Sequence, residues 1–216
     1  MPLFRAFIAS SIGQKSIMAA TGALLCCFVL GHLLGNTTIF AGREAFLRYA
    51  GHIHSLGIIL HTIEVVLLAI FFLHVTTGTV LVLGSLQARP VRYAVSATQG
   101  GRTLGSRTMP YTGVAILLFI AVHLANFHFT DRAIPIADLV RNHLHHPGLA
   151  IFYLAGFACL GLHISHGLWS LMQTLGANHP PLNGTLRGAA ILFAVVVSGT
   201  FSLIPLLAMA ATTFLR

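Results

Sequence analysis

The chain has 216 residues, 56% of them hydrophobic and 7% charged, whereas water-soluble domains carry about 25% charged residues. That composition excludes an ordinary soluble domain and points to a membrane protein. The formal charge of +8 comes from 12 basic against 4 acidic residues. The basic residues sit between apolar stretches, which fits positive cytoplasmic loops better than a nucleic-acid surface.

The opening MPLFRAFIASSIGQK has no separate short apolar core ending in a small-residue cleavage site. No removable signal peptide is expected, and the first span is expected to be retained. Five apolar stretches follow, over about 17–40, 56–86, 111–129, 149–175 and 189–211. Each has the length of a helix that crosses about 30 Å of hydrocarbon, which takes roughly 20 residues. The predicted fold is a single all-α membrane domain of five transmembrane helices, the first four bundled. Of the links, AGREAFLRYAGHIHS is expected to hold a short interfacial helix. QARPVRYAVSATQGGRTLGSRTMP is rich in Arg, Gly, Ser and Thr, TDRAIPIADLVRNHLHHPG reads as a loop, and GANHPPLNGTLRG reads as a short proline-bearing turn. The fifth span carries Pro205.

Five spans put the termini on opposite sides. One side collects Arg5, Lys15, Arg89, Arg92, Arg102, Arg107 and Arg187 with no acid, and the other Arg43, Arg48, Arg132, Arg141 and Arg216 with Glu44, Asp131 and Asp138. The acid-free second loop decides the bias and predicts a cytoplasmic N-terminus.

Four histidines lie inside apolar runs: His32 in GALLCCFVLGHLLGN, His74 in VVLLAIFFLHVTTG, His123 in VAILLFIAVHLANF and His163 in FYLAGFACLGLHISHG. An ionisable ring in hydrocarbon is costly and marks function. One on each of four successive helices suggests two pairs of axial ligands for two b-type haems. His32 and His123 stand near the outer ends of their spans, while His74 and His163 stand further inward. The expected pairs are therefore His32 with His123 and His74 with His163, at two heights of a helical bundle whose core is the usual place for such cofactors. Gly78 and Gly167 follow the inner histidines by four residues, and Gly31 and Gly35 flank His32. A glycine on the ligand's face leaves room for a porphyrin, although small residues equally permit close helix packing. Only Ala125 lies near His123.

His166, three residues after His163, rivals it, and depth alone does not choose between them. Glu64 is the one acid within a span. With His61 and His128 it forms an outer candidate for a quinone site or proton path, and Lys15, Ser16, His166 and Trp169 form an inner one. Glu64 could equally cap an interfacial turn or pair with an arginine. The other histidines, His52, His54, His143, His145, His146 and His179, read as solvated or interfacial, and HLHH lacks the carboxylate or cysteine pattern of a built zinc site. Cys26, Cys27 and Cys159 read as buried thiols, and the absence of CxxCH speaks against covalent haem.

With these residues in hand, the chain resembles the dihaem cytochrome b membrane-anchor subunit of succinate dehydrogenase or fumarate reductase, the form with one large anchor polypeptide. The resemblance runs over nearly the whole chain, through SSIGQKSIMAATG leading into GHLLGN, EAFLRYA, EVVLLAIFFLH leading into ARPVRYA, VHLANF and HISHGLWSLMQTLG. It implies that His32, His74, His123 and His163 ligate haem iron. His163 is preferred to His166 because the family's fourth-span ligand stands four residues before a glycine, here Gly167. The resemblance also implies a flavoprotein partner with covalent FAD, an iron–sulfur partner, both docked on the cytoplasmic face, and a quinone substrate, usually menaquinone. The setting it implies is the bacterial cytoplasmic membrane. Gly161 stands where some relatives carry a glutamate serving a transmembrane proton path.

Rival readings are a cytochrome b anchor of a hydrogenase or formate dehydrogenase, which the motifs favour less, and a metal-ion transporter, which would want more acids along a hydrophilic path. A purely structural anchor leaves four intramembrane histidines without a role.

Overall fold

The structure, a computed structural model, describes residues 2–88, 103–131, 133–177, 179–211 and 214–215, with side chains from Arg5 onward. The described residues form eight α-helices and no strands: α1 Pro2–Ala9, α2 Ser11–Asn36, α3 Arg43–Ser55, α4 Ile58–Gln87, α5 Leu104–Phe127, α6 Ile136–Leu144, α7 Pro147–Thr174 and α8 Pro180–Ala210. A 3-10 turn, Thr37–Ala41, extends α2. Five of these helices, α2, α4, α5, α7 and α8, are long and apolar enough to cross a membrane, as the five-span reading expected. Arg89, Arg92, Arg102, Arg132 and Arg216, and most of ARPVRYA, lie outside the described residues.

Capping chemistry sets helix ends that hydropathy misses. The Ser10 hydroxyl accepts from the Gly13 N–H at 3.1 Å and starts α2 six residues before the apolar run. At α5 the Thr103 hydroxyl accepts from the Ser106 N–H while the Ser106 hydroxyl accepts from the Thr103 N–H, both at 3.0 Å. This reciprocal cap begins α5 at Leu104, seven residues earlier than expected. Prolines open α7 and α8 at positions where the missing N–H costs nothing. The GANHPPLNGTLRG segment is therefore not a turn throughout, because its second half from Pro180 is the first two turns of α8.

The expected interfacial helix is α3. It is joined to its neighbours through Gly42 (φ +100°) and Gly57 (φ +53°), backbone conformations that glycine adopts readily. The third link differs from its reading as a loop. IADLVRNHL folds as α6, an amphipathic helix that buries Ala137, Leu139, Val140 and Leu144. A run of nine residues bounded by prolines gave too short a period to stand out, and burial against α3, α5, α7 and α8 stabilises it.

On one side of the bundle, Arg43 of α3 makes a bidentate pair with Asp138 of α6 at 2.7 and 2.9 Å, and its guanidinium also donates to the Leu215 carbonyl at 3.2 Å. The first link, the third link and the end of the chain thus meet on one side, as an odd number of crossings requires. On the other side, Thr103 before α5 and Arg187 on the first turns of α8 line one cavity.

α7 packs against α8, α5 and α2, and α2 packs against α4. The core includes Phe119, Tyr153, Phe157, Val197, Phe201 and Ile204. α8 therefore contributes as much to the core as the four histidine-bearing helices do. Large apolar side chains such as Val65 and Phe72 of α4 and Leu192 and Val195 of α8 face outward, the surface a lipid environment covers.

Candidate functional site: two histidine pairs

The four intramembrane histidines meet in the two pairs expected. The imidazole centroids of His32 on α2 and His123 on α5 are 5.9 Å apart with planes at 89°. Those of His74 on α4 and His163 on α7 are 6.4 Å apart with planes at 64°. Neither α2 with α5 nor α4 with α7 is among the packed helix pairs. Each histidine pair therefore lies between two helices that are not among the closely packed ones. Helices this close normally fill the space between them with side chains.

The two pairs lie at different heights. Thr21 of α2 is level with His74, since its hydroxyl oxygen is 3.0 Å from His74 Nδ1. Eleven residues, or about 16.5 Å of helix, separate Thr21 from His32. The same holds on α5, where the Thr112 hydroxyl is 3.2 Å from His163 Nδ1 and His123 follows eleven residues later. Eleven residues make just over three whole turns, so threonine and histidine share one face of each helix.

The surroundings of the two pairs differ. The outer pair sits in an aromatic cage: Phe28 stacks on His32 at 5.4 Å, Phe119 on His123 at 5.8 Å, and Phe201 of α8 approaches His32 at 5.9 Å. Tyr153, which accepts a hydrogen bond from Asn126 at 3.1 Å, closes the α5–α7 side. His123 Nδ1 is buried without a hydrogen-bond partner. The inner pair instead has a threonine hydroxyl on each Nδ1.

Sequence reading missed Thr21 and Thr112. It also missed Gly22 and Gly113, where a Cβ would come within 3.3 Å of the His74 ring and 3.7 Å of the His163 ring. Gly22 leaves room for the His74 ring, whereas a side chain at Gly113 would make only ordinary contact with His163. A signal was present, because Met18-Ala-Ala-Thr21-Gly22 recurs as Met109-Pro-Tyr-Thr112-Gly113, each with a histidine ten residues after the glycine. Of the glycines read as room for a cofactor, Gly31 and Gly167 face open space. Gly78 abuts Met18 of α2 and Gly35 abuts Tyr49 of α3, so both serve helix packing.

Comparison with protein-family models, curated proteins and solved structures finds no match to this chain. Two imidazoles bound to one metal, at about 2.0 Å per metal–nitrogen bond and about 1.1 Å from nitrogen to ring centre, place their centroids roughly 6.2 Å apart. Both observed separations fit that spacing. His74 and His163 have their Nδ1 atoms engaged elsewhere, which leaves Nε2 for a metal, and the residues present fit bis-histidine haem ligation.

The secondary candidates divide. At the end expected to face outward, Glu64 on α4 and His128 at the end of α5 approach to 3.9 Å, both part-exposed. His61 turns away to donate to the Gly57 carbonyl at 2.9 Å. At the inner end, His166 and Trp169 line a cavity of about 150 Å³ with Thr103, Ser165 and Arg187, and His166 Nδ1 is buried without a partner. Lys15 and Ser16 do not line that cavity, and the Ser16 hydroxyl donates to the Ile12 carbonyl at 3.0 Å. The inner candidate is therefore an α5–α7–α8 site, not one reaching α2. His143 packs edge-on to Phe127, while His145 donates to the Ala208 carbonyl at 3.2 Å, so HLHH is split between two helices.

Proposed function

We propose that the chain is the cytochrome b membrane anchor of a succinate:quinone oxidoreductase, holding two b haems, one between His32 and His123 and one between His74 and His163. The observation that carries this reading is the facing of two histidine pairs, at separations suited to a metal, across helices that are not closely packed. When bound, each haem supplies one-electron transfer. Held by two histidines, such a haem would serve electron transfer and not oxygen binding. The chain's own part is to hold the imidazoles, exclude water and fix the two heights.

A step of about 16.5 Å along the helices lets two sites share a membrane of about 30 Å, so electrons can pass along the bundle. The motifs GHLLGN, VHLANF and HISHGLWSLMQTLG support the succinate family over the hydrogenase or formate dehydrogenase anchors. In this reading the partners are a flavoprotein and an iron–sulfur protein docked on the cytoplasmic face with the acid-free loops. The membrane is the bacterial cytoplasmic membrane, and the quinone is a menaquinone. The cavity with His166, Ser165 and Arg187 favours the inner position for the quinone ring, because it offers polar groups against the apolar walls of Leu162 and Ile191.

The test is a redox-titrated visible spectrum of the purified complex, reduced in turn with succinate, a quinol and dithionite. Two b-type components, at least one reduced by succinate, are expected. A dithionite difference spectrum without b-haem bands would overturn the haem reading, and haem inert to succinate would overturn the choice of partner enzyme.

A further inference from the structure

The inner histidine pair carries hydroxyl partners that the outer pair lacks, and a proton count fixes what they do. A threonine hydroxyl has one hydrogen to give. Thr21 has the Ile17 carbonyl at 2.8 Å, nearer than His74 Nδ1 at 3.0 Å. Thr112 has the Thr108 carbonyl at 3.1 Å, nearer than His163 Nδ1 at 3.2 Å. With the hydrogen given along the helix, the oxygen is an acceptor facing the ring. A neutral imidazole that puts Nε2 on a metal must carry its proton on Nδ1. The two requirements coincide at both residues. Both threonines are buried, at 5% exposure each, so water does not compete for the contact.

Resting on the haem reading above, we propose that Thr21 and Thr112 are positioning residues that accept the Nδ1–H of His74 and His163, fix their metal-binding tautomer and lower the reduction potential of the inner haem. Accepting the Nδ1–H makes the imidazole a stronger donor, which favours the oxidised iron. The outer pair has no such device at His123, whose Nδ1 is buried and unpartnered among the described residues. Ring orientation there is set by stacking on Phe28 and Phe119 instead. The fold thus sets the electronic character of its two sites by different means, through hydroxyls from α2 and α5 at one height and aromatic faces at the other.

The test uses the assembled complex with Thr21→Val and Thr112→Val, and with Thr21→Ser and Thr112→Ser as controls that keep the hydroxyl. Potentiometric titration of the visible bands follows each haem, and His32→Ala, which lacks the outer haem, identifies the inner one. Each valine variant is expected to raise the inner midpoint by about a tenfold change in the reduction equilibrium, 59 mV for one electron. The outer midpoint should stay in place, and the serine variants should titrate as the parent. Loss of the inner haem in the valine variants with retention in the serine variants also supports the role. Unchanged inner midpoints, a shift of the outer haem, or equal damage from serine and valine would overturn it. A parent complex without haem would instead overturn the functional reading itself.

Discussion

His74 and His163 face each other at 6.4 Å from two helices, α4 and α7, that are not among the closely packed pairs. Gly167 lies four residues after His163 on the same helical face, and a Cβ added there would meet no neighbouring atom of the described residues within 4 Å. In the bare polypeptide a side chain there would be tolerated, and Gly→Ala in a helix even stabilises by about 0.5–1 kcal/mol. If a porphyrin uses that space, bulk at Gly167 displaces it. Gly167→Leu is expected to fold and insert while losing the inner haem band, read by the ratio of haem to protein. Full haem content in that variant would assign the open space to lipid.

Gly156 behaves in the opposite way. A Cβ there would collide with the Phe119 ring, which stacks on His123 and packs against Tyr153 and Phe157. Gly156→Val overpacks this contact, at a cost of about 1–3 kcal/mol, and pushes Phe119 from its place. The expected result is a lower unfolding midpoint in detergent and selective loss or shift of the outer haem.

Asp138 shows how the side of the bundle carrying α3 and α6 is tied together. The hydrogen-bonded Arg43 guanidinium holds its carboxyl below the ordinary 3.8, desolvation opposes this, and the charges of Arg43 and Arg141 add to it. A carboxylate with a depressed folded pKa contributes stability that is fully present above its unfolded value and is lost as pH falls through the folded one. The clamp is therefore intact at neutral pH and fails only below about 3.8. Asp138→Asn should lower the thermal midpoint at pH 7 and abolish the acid-dependent part of the decline below that range. Because the pair is part-exposed, added salt should shrink the difference between parent and variant.

The two quinone candidates separate kinetically. His166→Leu removes the buried, unpartnered ring nitrogen from the inner cavity, and loss of one hydrogen bond to substrate is expected to raise the KM for quinone about tenfold, at about 1–1.5 kcal/mol. Haem spectra should be unaffected. Glu64→Gln, at a part-exposed contact of 3.9 Å to His128, should change turnover less than about twofold. The reverse pattern would move the quinone to the outer end.

The five membrane helices and the pairing of His32 with His123 and His74 with His163 were legible because charge and polarity are rare in these spans, and each exception stands out. Thr21 and Thr112 were not, since a threonine in a membrane helix usually bonds its own backbone, and both of these do so as well. Only the partner helix shows the second contact. α6 was hidden by its length, and the early starts of α5 and α8 were hidden by polar first turns that capping and proline make helical. Phe201 gave no sign of approaching His32, because one phenylalanine among the apolar residues of α8 carries no periodic signal.

The most direct test of the whole account is the haem content of single histidine variants, read by visible and low-temperature spectra of the purified complex. His74→Ala and His163→Ala should each remove one and the same haem, His32→Ala and His123→Ala should each remove the other, and His166→Ala should remove neither. Loss of different haems from His74→Ala and His163→Ala, or two intact haems in any of the four variants, would contradict it.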